Sequence, residues 1–150
     1  MADYYRTFAV GVRLQGKLAA AWVTETLRSR QKNRQQLVDA GDDEAADAIG
    51  IEFHWFIEDG YLHLTDKGES GDVEHVANFL RQLVRLGYVQ EPVAIHWADT
   101  CSRPRPDSFT GGAALVTNRR IYWFVLFDLV AKKRQAIERR RRASGSGSKT

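Results

Sequence analysis

The sequence predicts a single α+β domain built on an antiparallel sheet. Three observations lead to this prediction. Several short segments alternate between apolar and polar residues, two longer segments have helical spacing, and Asp59-Gly60 is typical of a hairpin turn. With 150 residues and 43% hydrophobic residues, the chain has the size of one domain with a sizeable core. We expect that domain to occupy residues 1–142.

The first strand and the first helix are predicted within residues 5–40. In 5–14, every second residue near the end is apolar, as in a half-buried strand: Phe8, Val10, Val12 and Leu14. Residues 17–40 contain no Gly or Pro, and Leu18, Trp22 and Leu27 have helical spacing. The middle of this helix is polar and carries four cations, Arg28, Arg30, Lys32 and Arg34. We expect it to project into solvent or to contact a protein or nucleic-acid partner.

The hairpin around Asp59-Gly60 is the clearest local signal. Asp-Gly suits a two-residue type I′ turn, because both central residues need positive φ. This turn sets five cross-strand pairs: Glu58 with Tyr61, Ile57 with Leu62, Phe56 with His63, Trp55 with Leu64, and His54 with Thr65. One face of the hairpin is then apolar and is predicted to face the core.

A second helix is predicted to begin near Asp72, which can cap it, and to end at Gly87. Its apolar residues form one stripe: Val73, Val76, Ala77, Leu80, Leu83 and Val84. A strand follows in 93–98, and a stiff loop with Pro104 and Pro106 comes after it. These elements complete the order β-α-β-β-α-β of a ferredoxin-like, or split βαβ, core, in which two helices cover one sheet face.

The C-terminal segment adds a hairpin and a basic helix to this core. The hairpin is predicted from 113–116 and 121–127, with Asn118-Arg119 at its turn. The helix is predicted in 128–142. The Gly- and Ser-rich residues 143–150 are predicted to be a flexible tail or an added linker. We expect all four tryptophans to contribute to the core.

Charge is divided unevenly between the body and the C-terminal helix. Residues 1–131 hold 14 Lys/Arg against 18 Asp/Glu, a net charge of −4, whereas 132–150 hold 8 against 1, a net charge of +7. The helix cations are Lys132, Lys133, Arg134, Arg139, Arg140, Arg141 and Arg142. They could contact nucleic-acid phosphates or an acidic protein, and a solvated terminus without any ligand is the alternative.

The polar face of the first hairpin holds a weaker candidate site. His54 and His63 are diagonal neighbours, at a separation close to that which two imidazoles need to share a metal, and Glu52 lies nearby in the sequence. An ordinary polar strand face has the same composition, and no third ligand is placed there. We therefore expect no metal or cofactor.

The loop after the fourth strand collects a thiol, carboxylates and guanidinium groups. Arginines could make the thiol reactive, but no histidine is placed to activate it. We expect ion pairs that brace the loop, with a structural role for Asp99, Cys101, Arg103, Arg105 and Asp107. The sequence also lacks a phosphate-binding glycine loop and the motifs of zinc peptidases and serine hydrolases. We expect no enzymatic activity.

The location of the protein is predicted from two further features. No window approaches the roughly 18 apolar residues of a membrane span, and the N-terminus lacks a basic segment followed by an apolar one. The single cysteine fits a reducing compartment. We expect a soluble cytoplasmic protein with no membrane partner.

Part of the sequence resembles a family of small phage and prophage proteins. In that family a strand ending in Trp leads to a Thr-Cys-Ser-x-Pro-Arg loop, an aromatic residue and a glycine pair or triplet. The matching positions are Trp97, Thr100, Cys101, Ser102, Pro104, Arg105, Phe109, Gly111 and Gly112. Thr110 departs from the glycine of the pattern, and the resemblance covers about 20 residues. It implies a mobile-element origin and no particular activity.

We therefore expect a non-enzymatic, phage-encoded protein that binds a macromolecule. Its partner would be a host protein or protein–nucleic-acid complex, for example a defence or transcription complex that it inhibits. One alternative is a nucleic-acid-binding accessory protein that uses the C-terminal helix. The other is an enzyme that uses His54 and His63 or Cys101. The sequence leaves the oligomeric state open.

Overall fold

The structure is a computed structural model that describes residues 4–68, 71–102 and 110–148. Within these residues there are six strands: β1 (Tyr4–Arg13), β2 (His54–Glu58), β3 (Tyr61–Thr65), β4 (Val93–Cys101), β5 (Thr110–Val116) and β6 (Ile121–Val125). The same residues form four helices: α1 (Lys17–Asp39), α2 (Asp43–Ala48), α3 (Val73–Arg85) and α4 (Leu126–Ser148).

The strands form one antiparallel sheet in the order β2-β3-β1-β4-β5-β6. The first four strands, with α1 and α3 as connections, have the ferredoxin-like arrangement, which confirms the predicted fold. The predicted C-terminal hairpin is β5 and β6, and it extends the sheet beyond β4. The short helix α2 was not among the predicted elements. The Asp42 side chain caps it by accepting from the Ala45 N–H.

The core lies between the sheet and the helices α1 and α3. Alternate residues of β1 and β4 face it, and three residues of α1 are buried there, Ala19, Val23 and Leu27. The apolar stripe of α3 is buried as predicted. On the opposite sheet face, small side chains such as Ala9, Ala94 and Ala98 are exposed. The helices therefore cover one face of the sheet only, as predicted.

Local backbone chemistry explains where the main elements turn and end. The first hairpin has all five predicted pairs, and its turn residues Asp59 and Gly60 have φ of 51° and 80°. Asp72 caps α3 by accepting from the backbone N–H groups of Glu74 and His75. Gly87, with φ of 77°, follows the end of that helix. These predictions are confirmed.

The boundary between β6 and α4 differs from the prediction. The strand ends at Val125 and the helix begins directly at Leu126, whereas we predicted a strand to 127 and a helix in 128–142. The helix continues to Ser148, so 143–148 are helical where we predicted a flexible segment, while 149–150 lie outside the described residues. Our prediction relied on the low helix propensity of Gly and Ser, a local preference of about 1 kcal/mol per Gly that the helix overrides.

The expectation that all four tryptophans lie in the core is wrong for Trp123. Trp97 is buried, and Trp22 and Trp55 are half-buried, but Trp123 is 41% exposed. Trp123 lies on the edge strand β6, beyond the part of the sheet that α1 and α3 cover. In the part of the chain that the structure describes, no helix combines the length and apolar character needed to cross a membrane.

Candidate interaction surface

The four cations predicted on α1 lie on two sides of the helix. Arg30 donates a hydrogen bond to Gln82 Oε1 (3.0 Å), and its guanidinium lies 5.7 Å from the Phe79 ring centroid. Arg34 Nη2 lies 2.8 Å from Glu52 Oε1, an ion pair without the alignment of a hydrogen bond. These two residues tie α1 to the body of the protein. Arg28 and Lys32 are exposed and are the pair that can meet a partner.

The hairpin histidines do not form a three-ligand site. His63 stacks on Phe56 with ring centroids 4.5 Å apart, which buries one face of the imidazole. The carboxylate of Glu52 contacts Arg34 and also Lys67, whose Nζ lies 3.6 Å from Oε2. Among the residues described, no group of three His, Cys, Asp or Glu side chains is placed to hold a metal ion. The structure therefore does not bring Glu52, His54 and His63 together.

The predicted loop cluster is only partly described. Asp99 was expected to pair with loop arginines, and its described partner is Arg6 of β1, with hydrogen bonds of 2.6 and 3.0 Å from Nε and Nη2. This hydrogen bonding raises the pKa of Arg6, although partial burial opposes the rise. Cys101 is buried, 8% exposed, at the end of β4. The remaining predicted residues, Arg103, Arg105 and Asp107, lie outside the described residues.

The glycine pair of β5 has a structural explanation in Trp97. A Cβ atom on Gly112 would lie 2.5 Å from Cζ2 of the Trp97 ring, and one on Gly111 would lie 2.5 Å from the Trp97 carbonyl oxygen. Both distances are far inside van der Waals contact, so neither position accepts a side chain without movement of the backbone or ring. Trp97 also contacts Trp123, with ring centroids 6.0 Å apart and an edge-on geometry. This packing links β4 to β6 across β5.

β6 is an edge strand whose apolar side chains are exposed on both faces of the sheet. Its pairing with β5 places Trp123 opposite the buried Ala114, and Tyr122 and Phe124 on the opposite, open face. The side chains from Tyr122 to Val125 are 36% to 44% exposed. The strand carries none of the charged residues or prolines that usually protect a sheet edge.

The exposed apolar surface continues into the first turns of α4. Leu126, Phe127, Leu129 and Val130 are between 48% and 66% exposed. We call these four residues, together with 122–125, the β6–α4 apolar surface. The first turns of α4 lie near β5 and β6, and no side chain described in 126–145 is buried. The 23 residues of this helix span about 34 Å and bury no apolar stripe against the body.

The predicted basic residues lie farther along the same helix. The cations of 132–142, which we call the basic arm, are all exposed. They surround the helix, as the run of four arginines predicts. Ile137, 43% exposed, is the large apolar side chain among them. The basic arm is therefore an exposed, positively charged helical segment that follows the β6–α4 apolar surface.

Sequence reasoning found the basic arm but missed the apolar surface beside it. Nine of the ten residues in 121–130 are apolar, and that composition indicated a core strand. The direct passage from Val125 to the helix at Leu126, without a loop that could fold the helix back over the sheet, is visible only in the structure. Comparisons with protein-family models, curated proteins and solved structures found no match for this chain.

Proposed function

We propose that the protein is a non-enzymatic binding protein that contacts another macromolecule through α4. The observation that carries this proposal is the state of that helix, which has an apolar base, a basic arm and no buried side chain in 126–145. A helix of this kind is stabilised when its apolar residues are covered by a partner. Contiguous exposed apolar surface beside charged residues is also typical of interaction sites.

The chemistry of α4 favours an acidic protein, or a protein–nucleic-acid complex, as the partner. The basic arm would attract an acidic surface over a distance of about a Debye length and orient it. The apolar base beside the arm has to be covered by protein, either the partner or a second copy of the chain, because a nucleic-acid backbone does not desolvate it. Binding that covers a functional surface of the partner is sufficient to inhibit it, and no chemical step is needed.

The resemblance of the Trp97 to Gly112 segment to phage and prophage proteins suggests where such a partner would be found. A phage-encoded chain would act in the cytoplasm of the host cell. Its partner would then be a host complex, for example one of defence or transcription. Purification of partners from a host lysate is the corresponding experiment.

Direct nucleic-acid binding by the basic arm is the second candidate function. It is favoured by seven exposed cations on one helix, which could release counterions from phosphates. A catalytic role is less well supported, since Phe56 covers one face of the His63 ring and Cys101 is buried. We therefore retain two binding functions and give preference to the protein partner.

Neutralisation of the basic arm tests the proposal. We expect a variant with all seven arm cations changed to Gln to lose a protein captured by the native chain, because charge attraction and orientation are removed. The matched control is Arg13→Gln with Lys17→Gln, which removes two exposed cations outside the surfaces predicted to bind and should retain the partner. Capture is measured by affinity purification and mass spectrometry after nuclease treatment.

The same samples separate the protein partner from nucleic acid. If phosphates are the target, the native chain should retard duplex or single-stranded DNA at low salt. Because the cations surround the helix, about four of them can contact one nucleic acid at once, and the affinity should then fall on the order of a hundredfold between about 50 and 200 mM salt. A protein that remains bound to the Gln variant as strongly as to the native chain would contradict the role of the arm.

A further inference from the structure

We propose that the β6–α4 apolar surface binds a second copy of this chain, giving a two-fold dimer with one continuous sheet. This inference rests on the proposed function, because it assigns the apolar base of the binding helix to self-association. The basic arm is then left for an outside partner.

The backbone of β6 is suited to this pairing. The hairpin closes with the Thr117 N–H donating to the Arg120 carbonyl (3.0 Å), so 117 and 120 form a hydrogen-bonded pair. Since backbone groups alternate in direction along an antiparallel strand, those of Ile121 and Trp123 point away from β5. They lie at the sheet edge, where no described strand pairs with them. Such a row of donors and acceptors is a template for another strand.

A two-fold axis at Trp123 gives a complementary register between two copies of β6. Antiparallel pairing about this residue places Ile121 opposite Val125 of the other copy on the helix-covered face. It places Tyr122 opposite Phe124 of the other copy on the open face. Both cross-strand pairs are apolar, and the second is aromatic on both sides, a combination that stabilises antiparallel sheets.

The exposed area is large enough for a stable dimer. The eight large apolar side chains from Tyr122 to Val130 are 36% to 66% exposed. Four of them are aromatic, with roughly 150–250 Å² of surface each, and with the four Val and Leu residues at about the same size the eight together expose on the order of 700 Å². This total, spread over both faces of β6 and the first turns of α4, compares with about 300–600 Å² for the largest apolar patch of a typical monomer. It approaches the roughly 800 Å² that each partner buries in a standard interface.

Charge also favours a second copy in this register. Asp128 is the single charged residue in 121–130, and pairing about Trp123 brings the start of α4 beside the start of the other copy's β6. Arg119 and Arg120 lie at that end, so an acidic group meets basic groups. The two α4 helices begin at opposite ends of the paired strands, about 20 Å apart along the strand direction. The strongly basic arms therefore do not start side by side.

The oligomeric state of the intact chain in solution is the first test. Sedimentation equilibrium between about 1 and about 100 µM should show a dimer, because interfaces of standard size have dissociation constants of about micromolar or lower. Phe127→Asp, at the most exposed position of the surface, should shift the protein to monomer with at least tenfold weaker association. Leu18→Asp is the matched control, since Leu18 is 77% exposed on α1 and lies outside the surface. A native chain that is monomeric throughout this range would overturn the proposal.

A cross-link tests the register. Trp123→Cys in a Cys101→Ser background places two thiols on the two-fold axis, with Cα atoms about 5.5 Å apart, within the range of a disulfide. Mild oxidation should convert most of the protein into covalent dimer. Leu18→Cys in the same background should form no covalent dimer. If Trp123→Cys forms no more covalent dimer than this control, the proposed pairing is wrong.

Two variants separate failure of this inference from failure of the proposed function. Phe127→Asp should be monomeric and still capture a partner through the basic arm, whereas the variant with seven Gln residues should lose the partner and remain dimeric. Circular dichroism and urea unfolding of each variant confirm that it is folded. Equal loss of self-association in Phe127→Asp and Leu18→Asp would argue against the surface. Dimers that form only with added nucleic acid or anionic vesicles would also overturn the proposal.

Discussion

The ferredoxin-like body and the C-terminal extension, which consists of β6 and α4, differ in the burial of their apolar residues. In the body, the apolar faces of β1, β3 and β4 are covered by α1 and α3, and side chains such as Phe53 and Leu80 are at most 1% exposed. In the extension, 121–130 contain nine apolar residues in ten, yet the eight large side chains from Tyr122 to Val130 remain at least 36% exposed. The segment with the densest run of apolar residues is thus among the least buried.

The comparison shows that local hydrophobicity does not decide burial in this chain. A strand is buried only when another layer covers it, and in this protein that layer ends before β6. The connection between β6 and α4 explains why α4 does not provide cover, since the helix begins at the residue after the strand. Without a loop it cannot reverse direction and return over the sheet.

The largest expected difference between the two regions is in the response to truncation of a Phe side chain. Phe53→Ala should lower the free energy of unfolding by about 3–5 kcal/mol, because Phe53 is 1% exposed and contacts the ring of Phe79 at 6.0 Å. Phe127→Ala should change it by less than about 0.5 kcal/mol, because Phe127 is 66% exposed. Urea unfolding followed by tryptophan fluorescence at submicromolar concentration measures both. A cost above about 2 kcal/mol for Phe127→Ala would mean that the extension is packed within one chain.

Glycine substitutions are expected to show the same difference between the two regions, with a smaller change in the free energy of unfolding. Gly112→Ala should cost about 1–3 kcal/mol, since its Cβ would lie 2.5 Å from both the Trp97 ring and the Phe124 carbonyl oxygen. Gly145→Ala places a Cβ on α4 with no atom within 4 Å. It should leave global stability unchanged and raise helix content, because Ala favours a helix by about 1 kcal/mol over Gly. Thermal unfolding and far-ultraviolet circular dichroism give the two quantities, and a neutral Gly112→Ala would contradict the close packing of Trp97.

The smallest expected effect concerns the ion pair beside Trp97. Arg6 and Asp99 join β1 to β4 by two hydrogen bonds, but the Arg6 side chain is 39% exposed, so solvent screens the pair. We expect a coupling energy of about 1 kcal/mol in a double-mutant cycle of Arg6→Met and Asp99→Asn. Since the pKa of Arg6 is raised by Asp99, the guanidinium stays charged throughout the neutral range and the coupling should not vary between about pH 6 and 9. Additive single mutations would show that the contact contributes nothing to stability.

The candidate site was only partly predictable. The basic arm follows from sequence alone, because Arg139 to Arg142 cannot all be buried on any helix. The α1 cations could not be sorted from the sequence, since the separation of Arg30 and Arg34 from Arg28 and Lys32 depends on the positions of Gln82 and Glu52, which are distant in the chain. Asp99 is a similar case, because its described partner Arg6 is 93 residues away.

The sequence by itself determined the elements of this fold whose causes are local. The turn at Asp59-Gly60, the cap at Asp72 and the alternation along β1 and β4 each depend on residues within one segment, and together they define the ferredoxin-like order. Tertiary structure decided which apolar segments are covered. Whether a strand is covered depends on how far α1 and α3 extend across the sheet. The pattern of apolar residues within 121–130 contains no information about that distance. The exposure of β6 and α4, and with it the proposed dimer surface, therefore became visible only in three dimensions.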